Sequence, residues 1–128
     1  MRRAVATYPR MTTPHALPLL DLAAVAALTA RAGVSVLDFT APWCGPCKAM
    51  APVLVALADE YRGRAQLAEV DVEREPAVAE RFGVRSMPTL VLLRDGREVG
   101  RVVGTRPRAF LAGMIDRALA GDYAITCP

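Results

Sequence analysis

The chain has 128 residues, 53% of them apolar and 23% charged, enough for one compact domain with a core and too apolar for intrinsic disorder. Its net charge of +3 belongs to Arg2, Arg3 and Arg10; without them the 16 basic groups fall to the number of acidic ones, 13. A domain neutral from residue 11 onward lacks the basic stripe of a nucleic-acid binder, and three cysteines are too few for a disulfide-stapled scaffold.

Residues 1–14 carry no hydrophobic period and read as a flexible extension, with Met11 as an alternative start. His15 to Leu20 fits a short strand at a sheet edge, because Pro18 cannot donate a ladder hydrogen bond. Asp21 suits an N-cap, Leu22 to Ala32 a helix, and Gly33 its stop. Val34 to Thr40 is apolar on both faces except at Asp38, the pattern of a strand buried beneath helices on both sides. After Ala41-Pro42-Trp43 come Cys44-Gly45-Pro46-Cys47 and a helical pattern to about Arg62. Met50, Val53, Leu54, Leu57, Ala58 and Tyr61 recur there at helical spacing. Pro52 removes one hydrogen bond and predicts a kink.

Gln66 to Val72 reads as the next strand, and Pro76 opens a short helix ending near Phe82-Gly83. Val84 to Pro88 is a connector, followed by a strand from Thr89 to Leu93. Asp95-Gly96 is the strongest hairpin signal in the chain and predicts an antiparallel return from Arg97 to Val103. Gly104 breaks that strand, and Pro107 to Ala120 closes the domain as a helix bearing Phe110, Leu111, Met114, Ile115 and Leu119. Met50 and Met114 sit at core spacing and read as packing residues. The order β-α-β-α-β-α-β-β-α predicts an α/β fold: a central mixed sheet, mostly five-stranded, with about four helices on its two faces. Residues 15–120 form the domain in this reading, and 121–128 a tail.

A bare C-x-x-C is shared by zinc sites, redox sites and chance. Here the first cysteine falls where a buried strand gives way to a helix. Unpaired N–H groups and the macrodipole favour an anion at that place. Cys44 is therefore expected to have a lowered pKa and to act as a thiolate nucleophile. Cys47, one turn further in and expected to be more buried, can attack a mixed disulfide formed at Cys44. Zinc needs four ligands as a rule; the other candidates, His15 and Cys127, lie near opposite ends of the chain and in no ligand motif. Cys127 reads as a free surface thiol.

With these residues in view, the chain resembles the thioredoxin family. Trp43-Cys-Gly-Pro-Cys-Lys48 is similar, residue for residue, to the family's active-site hexapeptide. Ala51-Pro52, the segment Val84 to Thr89, Asp95-Gly96 and Val103-Gly104 follow in collinear order, so the resemblance spans residues 15–120. It implies a thioredoxin-like fold and a cis Pro88 packed on the dithiol. Met87 would offer its backbone to an extended substrate peptide. Trp43, Gly45, Pro46, Met87, Pro88, Val103 and Gly104 would form the substrate surface. Alone, an acid in a strand is more often a solvated edge residue; the resemblance places Asp38 beneath Cys47, where desolvation raises its pKa and lets it carry a proton. Two positions depart from many bacterial members: Thr40 stands where Trp is common, and Glu69 where Lys is common.

The resemblance further implies a general dithiol–disulfide oxidoreductase, acting as a monomer without a bound cofactor. Electrons would come from NADPH through a flavin-dependent thioredoxin reductase, and many disulfide-containing proteins would be clients. Nucleic acid and membrane are not expected partners. The apolar stretch Leu17 to Ala30 is broken by Pro18 and Asp21 and begins well after the arginines, a poor match to a signal peptide. The expected location is cytoplasmic. The rival readings are an extracytoplasmic thiol reductant and a non-catalytic subunit that uses the same surface for binding.

Overall fold

The computed structural model describes residues 17–122; the expectations for the 1–14 extension, Met11, His15 and Cys127 lie outside them. Eight elements follow in order: α1 (Leu22–Thr29), β1 (Val34–Thr40), α2 (Gly45–Glu60), β2 (Ala65–Asp71), α3 (Pro76–Arg81), β3 (Thr89–Arg94), β4 (Arg97–Val103) and α4 (Arg108–Ala120). The strands lie in the order β2-β1-β3-β4. β1 runs parallel to β2 and antiparallel to β3, and β3 and β4 form a hairpin.

Alternation along β1 divides the core into two layers. Val34 and Val36 face Met50, Leu54 and Leu57 of α2 together with Leu111 and Ile115 of α4. Leu37 and Phe39 face Val25 and Leu28 of α1 and Val78 of α3. The strand is thus covered on both faces, as its apolar run predicts. Each such Leu, Val or Phe stabilises the fold by roughly 1.5–3 kcal/mol through burial. Tyr61, at the end of α2, ties the first layer together: its hydroxyl meets Asp116 Oδ1 at 2.6 Å and the Ala112 carbonyl at 3.1 Å. On the other side of the same layer, Arg94 Nη1 donates to the carbonyls of Ala118 and Leu119 and closes the end of α4.

The sheet corrects one expectation. It has four strands among the described residues, not five. The segment expected to supply the fifth contributes a single bridge, Leu19 to Glu69, held by Leu20 N–H to Glu69 O and Glu69 N–H to Pro18 O, both 2.8 Å. Pro18 has no N–H to extend the ladder, and Asp21 immediately starts α1 by accepting from the Ala24 amide at 2.8 Å. α1 also stops at Thr29, earlier than the expected Ala32. Gly33 adopts φ +99°, and its amide donates to Asp95 Oδ1 at 2.7 Å, which draws the chain out of helical geometry and into β1. α2 continues through Pro52, which lies on its exposed face, so solvent can serve the Lys48 carbonyl left without an intrahelical donor.

The hairpin turn follows the sequence signal: Asp95 and Gly96 both have positive φ, +53° and +81°. Gly96 also presses against the end of α1. A Cβ there would lie 1.9 Å from the Thr29 carbonyl oxygen. Gly63 has a similar φ, +85°, but open space around it. Gly96→Ala is therefore expected to cost more than about 2 kcal/mol, and Gly63→Ala about 1 kcal/mol, the conformational part alone. Urea unfolding of both variants measures this, and equal losses would show that the Thr29 contact carries no weight.

Candidate active site

β1 ends at Thr40, and a short turn brings the chain to Cys44, where its amide donates to the Ala41 carbonyl at 3.1 Å. Cys44 is the N-cap of α2, with extended backbone (φ −92°, ψ 107°). Its sulfur accepts from the Cys47 amide at 3.2 Å. The cap position thus aims an unpaired helix N–H at sulfur. Pro46 fits the first turn because no intrahelical donor is needed there. Cys44 and Cys47 are joined as a disulfide, with Cα atoms 5.3 Å apart. Both are buried, Cys44 at 4% and Cys47 at 5% exposure. The expected difference in depth is absent; what distinguishes the two sulfurs is position, since only Cys44 occupies the cap.

Ala41 and the two cysteines form a small apolar cluster, with Val72 and Met87 packed against it. The Met87–Pro88 bond is cis. Pro88 is buried, and its carbonyl accepts from the Gly104 amide at 2.8 Å. Val103 pairs with Thr89 in the hairpin, so the connector and the end of β4 reach the dithiol side by side. Neither the amide nor the carbonyl of Met87 has a hydrogen-bond partner among the described residues. Around this line Trp43 is 63% and Val103 52% exposed, and Gly45 and Pro46 are exposed as well. The predicted substrate-surface residues thus fall on three neighbouring loops.

Two members of the site were not anticipated. Glu73, in the turn after β2, accepts a hydrogen bond from the Trp43 indole N–H. Thirty residues separate them, and no local spacing announces such a contact. Arg106 folds back on the loop after β4, donating from Nη1 to Thr105 O at 2.8 Å and Val103 O at 3.3 Å. Its sequence signal was adjacency to Val103-Gly104.

Asp38 points to the α2 face of the sheet, as Val34 and Val36 do. It is 4% exposed, and its Oδ1 has no hydrogen-bond partner among the described residues. Burial, with the Glu69 carboxylate beside it in the β1–β2 register, pushes its pKa from 3.8 to about 7. Glu69 is itself raised, by burial and by Asp71. Among the described residues no cluster of three His, Cys, Asp or Glu could hold a metal ion. A groove of about 1470 Å³ runs between α2 and β2, past Pro52, Val55 and Leu67, and does not include either cysteine. The dithiol lies at the start of α2, outside that groove.

The thioredoxin family model matches residues 23–117. The thioredoxin of Staphylococcus haemolyticus (strain JCSC1435) is 46% identical over 89 residues, covering 70% of this chain and 86% of that protein. That of Staphylococcus aureus (strain Mu50 / ATCC 700699) gives the same figures. Among solved structures, a mutant thioredoxin from Halobacterium salinarum NRC-1 has a TM-score of 0.73 at 32% identity, covering 93% of this chain and all of that one. A chain from work on thiol resolution in yeast mitochondrial 1-Cys peroxiredoxin via glutathione/thioredoxin systems has a TM-score of 0.71 at 35% identity, covering 78% of this chain and 94% of that one. Similarity of this extent, joined to a disulfide formed at the helix start, defines a protein dithiol–disulfide oxidoreductase of thioredoxin-like fold. The chain belongs to the thioredoxin family.

The raised pKa of Asp38 has a consequence for stability. Between about pH 4 and pH 7 the folded chain keeps a proton that the unfolded chain has released. This contribution is complete below the unfolded pKa and is lost as pH rises through the folded one. Asp38→Asn removes the loss and is expected to be more stable than wild type at pH 8, by up to about 4 kcal/mol. Urea unfolding of the oxidised protein at pH 4, 6 and 8 tests it; parallel pH profiles would contradict the assignment.

Proposed function

We propose that the chain reduces disulfides in client proteins, with Cys44 as nucleophile and Cys47 as resolving thiol. The cap geometry at Cys44 carries this reading. In the reduced protein, the amide that meets its sulfur stabilises a thiolate more than a thiol. The thiolate attacks one client sulfur, a mixed disulfide forms, and the other client sulfur leaves as a thiolate. Cys47 then attacks the Cys44 sulfur, releasing the second client thiolate and forming the Cys44–Cys47 disulfide. Two electrons pass to the client, and two protons complete its thiols.

Cys47 must lose its proton in the second step, inside an apolar cluster. Asp38 is the group we assign to take it. A carboxyl with a pKa of about 7 is partly ionised at neutral pH and so can accept or return a proton. The client is read as an extended segment laid beside Met87, whose free amide and carbonyl suit strand addition. Trp43, Gly45, Pro46, Pro88, Val103 and Gly104 supply apolar contact around it. Recognition through backbone and flat apolar surface suits many protein clients.

Re-reduction is assigned to a flavin-dependent thioredoxin reductase drawing on NADPH, which leaves this chain without a bound cofactor of its own. Family membership supports that route, and a cytoplasmic location with it. No helix among the described residues is long and apolar enough to cross a membrane.

NADPH-coupled reduction of a model protein disulfide tests the assignment. Cys44→Ser is expected to reduce turnover to the uncatalysed rate; a rate equal to wild type would leave only a binding subunit. Cys47→Ser is expected to accumulate a mixed disulfide, which peptide mapping should place at Cys44. Capture through Cys127 instead would overturn the roles of the two active-site cysteines.

A further inference from the structure

Arg106 has a charge that no carboxylate among the described residues pairs with. Nη1 donates to the carbonyls of Val103 and Thr105, and the guanidinium lies over the Phe110 ring, 5.8 Å from its centroid. A Cβ on Gly104 would come within 3.6 Å of the same nitrogen. These contacts fix the guanidinium against the loop that Gly104 ties to Pro88. No carboxylate pairs with it: the ion pairs among the described residues are Arg62–Asp59, Arg101–Glu98 and Arg108–Glu60. Nor does helix stability explain the charge. Arg106 stands two residues before α4, whose first turn holds no acid, and a cation there faces the positive end of the helix dipole.

The remaining donors are those that matter for recognition. Arginine presents five N–H groups in a rigid fork, and the two carbonyls engage only Nη1. Nε and Nη2 have no partner among the described residues, a pairing that suits the two oxygens of a carboxylate. Arg85, exposed two residues before Met87 and without an acidic partner among the described residues, adds charge of the same sign. Glu73, the acid bound to Trp43, is already engaged by the indole. At its Met87 and Gly104 end the apolar client surface is therefore flanked by positive charge, while Glu73 keeps its negative charge at the Trp43 end.

We propose that Arg106 is a specificity-determining residue: it favours client disulfides whose flanking segment carries an Asp or Glu side chain near the attacked cysteine. The proposal rests on the reductase reading and names the clients that reading leaves open. A carboxylate on the bound segment meets the guanidinium at the loop edge, outside the reacting sulfurs. The exchange chemistry is unchanged, and the effect lies in the capture of the client.

The test uses the full chain and three disulfide peptides, identical except for Asp, Asn or Lys two residues from the attacked cysteine. Wild type is expected to show kcat/KM about 1.5-fold to fivefold higher for the Asp peptide than for the Asn peptide, the range of an exposed charge pair. That ratio should shrink at 0.5 M salt. Arg106→Gln should bring it to about one, Arg106→Glu should invert it toward the Lys peptide, and Arg106→Lys should keep most of it. An unchanged ratio in Arg106→Gln, a ratio indifferent to salt, or an equal fall on all three peptides overturns the proposal; the last would make Arg106 a loop fastener only. Failure of wild type to turn over even the Asn peptide would instead strike the reductase reading.

Discussion

A strand buried on both faces has to pass its chain to the next element without stranding polar backbone in the core, and here the passage is made by a sulfur atom. β1 lies under α2 and α4 on one side and under α1 and α3 on the other, and leaves the sheet at Thr40, where that cover ends. The helix that follows has amides in its first turn with no carbonyl to meet. In most proteins a Ser, Thr, Asp or Asn side chain serves one of them. In this chain Cys44 does so, and the cap is also one half of the disulfide. On the proposed reading, a structural need of every helix start becomes the source of thiolate stabilisation. Replacing the sulfur with a better cap would satisfy the helix and end the chemistry.

The same burial gives Asp38 its character. Three polar side chains are buried in the described core: Ser35, Asp38 and Thr89. Thr89 is satisfied, its hydroxyl donating to the Ser86 carbonyl at 2.6 Å. Asp38 Oδ1 is the buried side-chain atom left without a partner among the described residues. A carboxylate in that setting costs stability, and a core built for stability alone would hold a Val or Leu there. The cost falls in the strand that leads to the dithiol. Glu69, its neighbour across the sheet, adds like charge where a cation would relieve it. Burial and repulsion thus act in the same direction, toward a carboxyl that exchanges its proton near neutral pH.

Sequence reasoning succeeded where the physics is local or periodic. The double-sided apolar run of β1, the Asp21 cap and the Asp95-Gly96 turn each encode their geometry in a few adjacent residues. It failed where two signals compete. Leu17 to Leu20 is apolar enough for a strand, but Pro18 and the cap at Asp21 leave room for one bridge. α1 lost its last residues to a contact with Asp95, 62 positions away from Gly33. The dithiol and the cis proline were legible through the family's motifs, and the burial of Asp38 through the double-sided apolar run of β1. The Trp43–Glu73 bond and the folded-back Arg106 were not, because each depends on how separate loops meet in space.

Those meetings explain how one surface can be both general and selective. The parts proposed to touch a client are backbone and flat apolar side chains, and they are held still. Gly104 is bonded to Pro88, Met87 packs on the cysteines, and Trp43 is anchored through its indole to the turn after β2. A fixed backbone edge does not distinguish one sequence from another, so it supplies affinity common to all extended segments. Discrimination must come from side chains that stand beside that edge without blocking it. Charge suits this purpose, because it acts over several ångströms and does not require a shaped pocket. An arginine pinned to the loop by its own carbonyls loses little freedom when a partner arrives. On the proposed reading, generality resides in the main chain and preference in a few charges at its margin, and the two can change independently.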